Sequence, residues 1–282
     1  MARILVLGAD GMVGHIARIY LTERGHDVIS VARSSSAKWE KLDLEDEGAL
    51  RAFLAKMKPE YVLNCAGVLI QESEKNPLRA IRLNALLPHV LEKAAVHERF
   101  KVIQVSSDCV FEGSKGPYTE GDRMDADGVY GRTKALGELR NDRDLTIRTS
   151  KVGPELHADG SGLFNWFMNQ KGMIRGFTRA LWGGVTTLEM VKAVDYIIEH
   201  PLGGLLHLTN GQAISKCDLL ELFAEIWGKK DVKIERDDSH VADRSLICTR
   251  KDFAYCVPSY KAMMEEMRTF MRNHPELYRH YA

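Results

Sequence analysis

Charge of one sign has no excess in this chain. Its 282 residues carry 39 Lys+Arg and 39 Asp+Glu, a formal net charge of zero with His neutral. That balance excludes a global field that would draw in nucleic acid or an anionic membrane surface. Long apolar runs are also missing, and no stretch approaches the ~20 residues that span a bilayer. The apolar start Ile4-Leu5-Val6-Leu7 is too short for a signal-peptide core, so a cytoplasmic protein with no membrane partner is expected. Cysteine is sparse. Cys65, Cys109, Cys217, Cys248 and Cys256 are scattered, odd in number and without a Cys-x-x-Cys pair, which argues against a zinc site and a disulfide framework. No repeat and no low-complexity segment interrupts the chain.

What is present is an alternation of strand and helix patterns. Residues 3–7 read as a buried parallel strand, a short and nearly continuous apolar run. It leads into Gly8-Ala9-Asp10-Gly11-Met12-Val13-Gly14 and a helical pattern to about Arg24. Strand, glycine turn, helix is the context in which glycines serve a dinucleotide: tight turn, close approach of backbone to pyrophosphate, close helix packing. The helix N-terminus then offers N–H donors to the phosphates. A second strand, Asp27 to Val31, ends at Ala32-Arg33-Ser34-Ser35-Ser36. An acidic residue here would bind a ribose 2′-hydroxyl. A cation followed by hydroxyls suits a 2′-phosphate instead, so NADPH is favoured over NADH, with Arg33 and Ser34 as its contacts. Asp43-Leu44 is placed beside the adenine.

A helix over 46–57 and a strand over 61–64 come next. The strand leads to Cys65-Ala66-Gly67-Val68, small residues that let a cofactor lie against the backbone. A long helix is predicted from Pro77 to Glu98, with Asn84 inside it as a candidate tie between neighbouring loops. Lys101 to Val105 is the strand that delivers Ser107. Tyr130 and Lys134 follow on a helix, four residues apart and so on one face. An ammonium near a phenol favours phenolate and is expected to lower the Tyr130 pKa. Tyr130 can then give a proton to a carbonyl oxygen under reduction, while the Ser107 hydroxyl stabilises the developing charge. A further strand lies at 145–149. These units predict an α/β fold, a doubly wound parallel sheet over residues 1–150, with a smaller α/β substrate-binding region over 151–282 that returns to the first in part. In that second region, helices are predicted over 163–168, 188–200, 215–227 and 259–273 and a strand over 204–208; Met173 to Trp182 carries no assigned element.

The block Ser106-Ser107-Asp108-Cys109-Val110-Phe111-x-Gly113, Pro117-Tyr118-x-Glu120, Tyr130-Gly131-Arg132-Thr133-Lys134-x-x-Gly137-Glu138 resembles the extended short-chain dehydrogenase/reductases, most closely the dTDP-4-dehydrorhamnose reductase branch. Arg148-Thr149-Ser150 and Asp243-Arg244-Ser245-Leu246 are weaker echoes of it. The resemblance implies NADPH-dependent reduction of the 4-keto group of a nucleotide-activated 6-deoxysugar, with Ser107, Tyr130 and Lys134 as the catalytic set. It implies substrate contacts at Val68, Ser107, Asp108, Cys109, Lys151, Asn165, Trp182 and Arg244, and it allows for a homodimer. Cys109 and Lys151 stand where the branch commonly has aromatics. Cys109 also has the spacing from Ser107 seen in GDP-fucose synthase, so a combined epimerase and reductase with His157 as partner is an alternative. A non-catalytic dinucleotide-binding subunit, like the regulatory partner of methionine adenosyltransferase, is another.

Overall fold

The structure, a computed structural model, describes residues 1–34 and 36–281. Ser35, one of the three serines after Arg33, lies outside the described residues. Two compact units divide the chain. Unit 1 comprises Met1–Phe111, Arg123–Arg148 and Val191–Leu206; unit 2 comprises Glu112–Asp122, Thr149–Met190 and His207–Ala282.

The short apolar runs become strands. In chain order the first half holds β1 (Arg3–Leu7), α1 (Gly14–Glu23), β2 (Asp27–Ala32), β3 (Glu40–Lys41), α2 (Glu47–Met57), β4 (Tyr61–Asn64), α3 (Ile70–Lys75), α4 (Pro77–Ala80), α5 (Leu87–Glu98), β5 (Lys101–Val105), α6 (Val129–Leu136) and β6 (Leu145–Arg148). Helix α2 starts where Asp46 accepts a hydrogen bond from the Ala49 N–H at 2.9 Å, a side-chain cap on an otherwise orphan donor. The helix expected over Pro77–Glu98 forms in three parts, because Ile81–Leu86 between α4 and α5 is wound as a π-helix. Helix α3 was not expected; its six residues hold two glutamates and one exposed apolar side chain, Ile70, and carry no clear period.

The sheet runs in the order β11-β6-β5-β4-β1-β2-β3, where β11 is Gly204–His207. The pairings from β3 through β6 are all parallel. Strand order reverses between β1 and β4, so the turns after these two strands flank the switch point, the crevice where such sheets bind ligands. Leu5, Leu7, Val62 and Val102 from the strands pack with Leu50, Leu54, Leu87 and Leu91 from the helices into one buried cluster.

The second half adds β7 (Lys151–Val152), α7 (Leu163–Met168), β8 (Gly172–Phe177), β9 (Ala180–Trp182), β10 (Val185–Thr186), α8 (Thr187–Glu199), β12 (Ile214–Ser215), α9 (Lys216–Trp227), β13 (Val232–Asp237), β14 (Ala242–Asp243) and α10 (Tyr260–Asn273). The stretch Met173 to Trp182 is thus two strands. β8 pairs in parallel with β13, and β9 lies between β12 and β14. Rings fill the interior of unit 2: Phe164 packs on Phe223 at 5.3 Å, Trp227 at 4.6 Å and Tyr281 at 5.3 Å between centroids. Among the described residues no helix is long and apolar enough to cross a membrane.

Candidate active site

The turn after β1 is closed by backbone. The Gly11 N–H donates to the Gly8 carbonyl at 3.0 Å, and a Cβ on Gly14 would sit 2.0 Å from that same carbonyl oxygen. Only glycine lets α1 begin this close to the turn. His15 locks it from inside: its Nδ1 donates to the Gly11 carbonyl at 2.9 Å, a tautomer set by the carbonyl's being an acceptor. Burial is the main cause that brings this imidazole down from 6.5 to about 4, so it stays neutral. No side chain caps α1 and no acid stands in its first turn. Its N-terminal dipole end is therefore available to an anion.

Beside this turn is a cavity of ≈ 210 Å³. Gly8, Asp10, Gly11, Arg33, Asp43, Leu44, Cys65, Ala66 and Gly67 line it, nine of the residues expected to hold a cofactor. Ser34 stands next to it, with its hydroxyl donating to Asp10 Oδ2 at 3.3 Å. Met12, Val13 and Gly14 form the turn rather than the wall. Ala32, Leu42, Glu45, Arg79 and Leu83 also line the cavity and were not anticipated. Arg79 reaches Glu45 at 3.2 Å. Asn84 ties loops together as expected of it. Its Oδ1 accepts from the Val68 N–H at 2.8 Å, and its Nδ2 donates to the Val68 carbonyl at 3.0 Å and to Thr133 Oγ1 at 3.2 Å.

The second part of the arrangement lies past β5. Ser107 caps the short turn Asp108–Val110. Its Oγ accepts from the Cys109 N–H at 3.1 Å and donates to Asp108 Oδ1 at 3.1 Å. The Tyr130 phenol stands close enough to Ser107 for that side chain to act on its proton affinity. Helix α6 comes this near because residue 131 is glycine; a Cβ there would lie 2.2 Å from the Cys109 carbonyl oxygen.

The electrostatics correct one expectation. The phenol of Tyr130 is pushed well above its usual range, first by burial, then by electrostatic repulsion from Cys109 and Asp108, with Ser107 acting in the opposite direction. The expected lowering by Lys134 does not enter. The Lys134 ammonium donates to the Val105 carbonyl at 2.6 Å, which spends it on fastening α6 to the end of β5. Tyr130 therefore holds its proton at neutral pH, as a proton donor must.

The remaining expected substrate residues belong to unit 2. Lys151 donates to the Thr149 carbonyl at 3.3 Å, and Arg244 Nε donates to the Glu112 carbonyl at 3.1 Å. Asn165 is buried, with both amide hydrogens spent on Ala158 and Gly160 carbonyls at 3.0 and 2.7 Å. Trp182 is buried against Tyr260, its Nε1 donating to Ser150 Oγ at 2.7 Å. His157 is exposed in the same unit.

Residues 2–171 match the model of the family described as the RmlD substrate binding domain. The chain is 34% identical over 139 residues to a dTDP-4-dehydrorhamnose reductase of Mycolicibacterium smegmatis, covering 48% of this chain and 40% of that one. It is 33% identical over 150 residues to methionine adenosyltransferase 2 subunit beta of Xenopus laevis, covering 51% and 45%. The matched part thus spans less than half the length of these curated relatives. Among solved structures, a hypothetical dTDP-4-dehydrorhamnose reductase from Sulfolobus tokodaii superposes with a TM-score of 0.76 at 26% identity, over 86% of this chain and 91% of that one.

Proposed function

The chain belongs to the RmlD substrate binding domain family, and from that premise we propose that it is an NADPH-dependent reductase of the 4-keto group of a nucleotide-activated 6-deoxysugar, serving glycan precursor synthesis. One observation carries the reading: a proton-holding Tyr130 beside Ser107, on the same unit as a glycine-turn cavity lined by Arg33.

The residues fit the cofactor. Gly8, Gly11 and the uncapped start of α1 hold the pyrophosphate, Arg33 and Ser34 the 2′-phosphate, Asp43 and Leu44 the adenine, and Cys65, Ala66 and Gly67 give a backbone surface to lie on. When bound, the nicotinamide supplies the hydride. Tyr130 donates its proton to the keto oxygen as charge develops there. Ser107 donates a hydrogen bond to the same oxygen once its hydroxyl turns from Asp108, adding electrostatic stabilisation. Lys134, on the face of Tyr130, fixes α6 against β5 and binds the nicotinamide ribose. Val68, Asp108 and Cys109 contact the sugar nucleotide.

The test is NADPH oxidation against a panel of nucleotide-linked 4-keto-6-deoxysugars. The parent turns over at least one, and Tyr130→Phe loses about 1,000-fold in kcat while still binding NADPH. A parent that binds NADPH but reduces no member of the panel overturns the reductase and favours a dinucleotide-binding subunit, the reading suggested by the Xenopus relative. A second reading rests on Cys109, which lies close enough to Tyr130 to act on it electrostatically: epimerisation before reduction. Turnover in heavy water that leaves no deuterium on the product's ring carbons removes it.

A further inference from the structure

Beside Ser106, the residue before Ser107, lies an ion pair with no access to solvent. Arg148 Nε donates to Glu138 Oε1 at 2.7 Å and Arg148 Nη2 to Glu138 Oε2 at 2.7 Å. Both side chains are 0% exposed. Two parallel bonds of a guanidinium to a carboxylate fix orientation as well as distance. The pair joins three pieces of chain that bear the site. Glu138 follows the end of α6 and stands eight residues beyond Tyr130. Its Oε1 also accepts from the Ser106 hydroxyl at 2.9 Å. Ser106 precedes Ser107, and in extended backbone consecutive side chains point to opposite faces, so Ser106 anchors inward what Ser107 presents on the other side. The Ser106 N–H donates to the Ile147 carbonyl at 2.8 Å, holding the same residue against β6. Arg148 in turn lies 5.1 Å over the ring of Phe111, the residue that closes the Asp108–Val110 turn.

We propose that the Glu138–Arg148 fork is a positioning device, setting where the Ser107 hydroxyl stands relative to the Tyr130 phenol through Ser106 and Phe111. This rests on the reductase reading for its kinetic consequences, but not for its geometry. A structural role predicts something different. A buried ion pair contributes little net stability over well-packed apolar residues of similar size, so an apolar replacement can keep the fold while losing the register.

The experiment uses the full chain with Glu138→Leu and Arg148→Met together, and Ser106→Ala alone. In the double variant the urea midpoint stays near the parent's and the KM for NADPH changes less than about threefold, while kcat falls about 100-fold, the cost of a misplacement near 1 Å. Its pH–rate profile also shifts, because the environment of Tyr130 has moved. Ser106→Ala, which removes one hydrogen bond and threatens folding least, lowers kcat about tenfold at an unchanged midpoint. Parental kcat and pH profile in a folded double variant, or in Ser106→Ala if the double variant does not fold, overturn the proposal. The Tyr130 resonance in a tyrosine-labelled sample supplies a readout without turnover. If the parent reduces nothing, a Tyr130 ring resonance displaced in Ser106→Ala keeps the positioning role and discards only the reductase; an unmoved resonance discards the positioning role.

Discussion

Unit 1 and unit 2 bury different material. Beside the site, the interior of unit 1 holds polar and charged groups: Glu138 and Arg148 at 0% side-chain exposure, with Asp108, Lys134, Asn84 and His15 buried as well. Each has a named partner, and for Glu138, Arg148, Lys134 and Asn84 that partner belongs to another stretch of chain. The interior of unit 2 is ring on ring, with Phe164 against Phe223, Trp227 and Tyr281, and Phe223 against Trp227, and methionines 263, 264 and 267 buried on one face of α10. Packed rings supply stability without dictating a unique arrangement of polar atoms. A satisfied polar network contributes little net stability, but it penalises every other arrangement. Close control of geometry is thus concentrated where proton transfer is proposed.

The largest effects come from cutting into each interior. Phe164→Ala is expected to cost about 3–5 kcal/mol through lost burial and a cavity. Arg148→Met alone should cost about 3 kcal/mol, because Glu138 is left as a buried charge that keeps only the Ser106 hydroxyl and the longer contact to Arg140 at 3.6 Å. The two separate on the second step. Adding Glu138→Leu to Arg148→Met recovers most of the loss in urea unfolding, since the charge itself is gone. No such partner exists for Phe164, whose missing volume must be refilled. If the apolar pair recovers nothing, unit 1 is using the ion pair for stability and the contrast between the interiors fails.

Next in size is a pH effect that comes from the polar interior. His15 has a native pKa of about 4, against 6.5 in an unfolded chain, chiefly because it is buried. Above pH 6.5 neither state binds the proton. Between 6.5 and about 4 the unfolded chain takes it up and the native chain does not, so stability falls as pH falls, by about 3 kcal/mol in all. Below 4 both states carry it and the loss levels off. Unfolding of the parent at pH 7 and pH 4.5 measures the fall. His15→Asn, whose amide can still donate to the Gly11 carbonyl, should flatten it by most of that amount; an equally steep variant would assign the acid sensitivity elsewhere.

The same contrast governs what could be read from the residues alone. Unit 1 was legible because its elements repeat with simple periods and its special residues sit beside them: glycines after β1, small residues after β4, Tyr130 and Lys134 one turn apart. Asn84 was legible as a tie because a buried amide within a helix needs partners outside it. Leu42, Glu45, Arg79 and Leu83 were not, since they meet at the cavity only when α4 and the loop before α2 pack together, and no local pattern encodes that. The Tyr130 shift was misjudged for a related reason. Spacing shows that a lysine shares its face, but not that the ammonium is spent on Val105. In unit 2, β8 and β13 escaped notice because each is six residues long, half-exposed and paired with a partner sixty residues away.

The smallest effect compares two helix starts. Helix α9 opens with Ser215, whose Oγ accepts from the Asp218 N–H at 3.0 Å and donates to Asp218 Oδ2 at 2.6 Å. Helix α1 opens without any side-chain cap. Ser215→Ala should cost about 1 kcal/mol and leave NADPH affinity unchanged, because the cap serves only its own helix. Met12→Glu adds an acid at the start of α1, where helix-dipole attraction contributes about 0.3–1 kcal/mol of stability. The same carboxylate lies where the pyrophosphate is proposed to bind and should weaken NADPH about tenfold or more by repulsion. Stability and binding then move in opposite directions at α1, whereas at α9 only stability moves. A Met12→Glu protein that is more stable and binds NADPH as tightly as the parent would mean that the open start of α1 holds no phosphate, and the cofactor assignment at the glycine turn would fall with it.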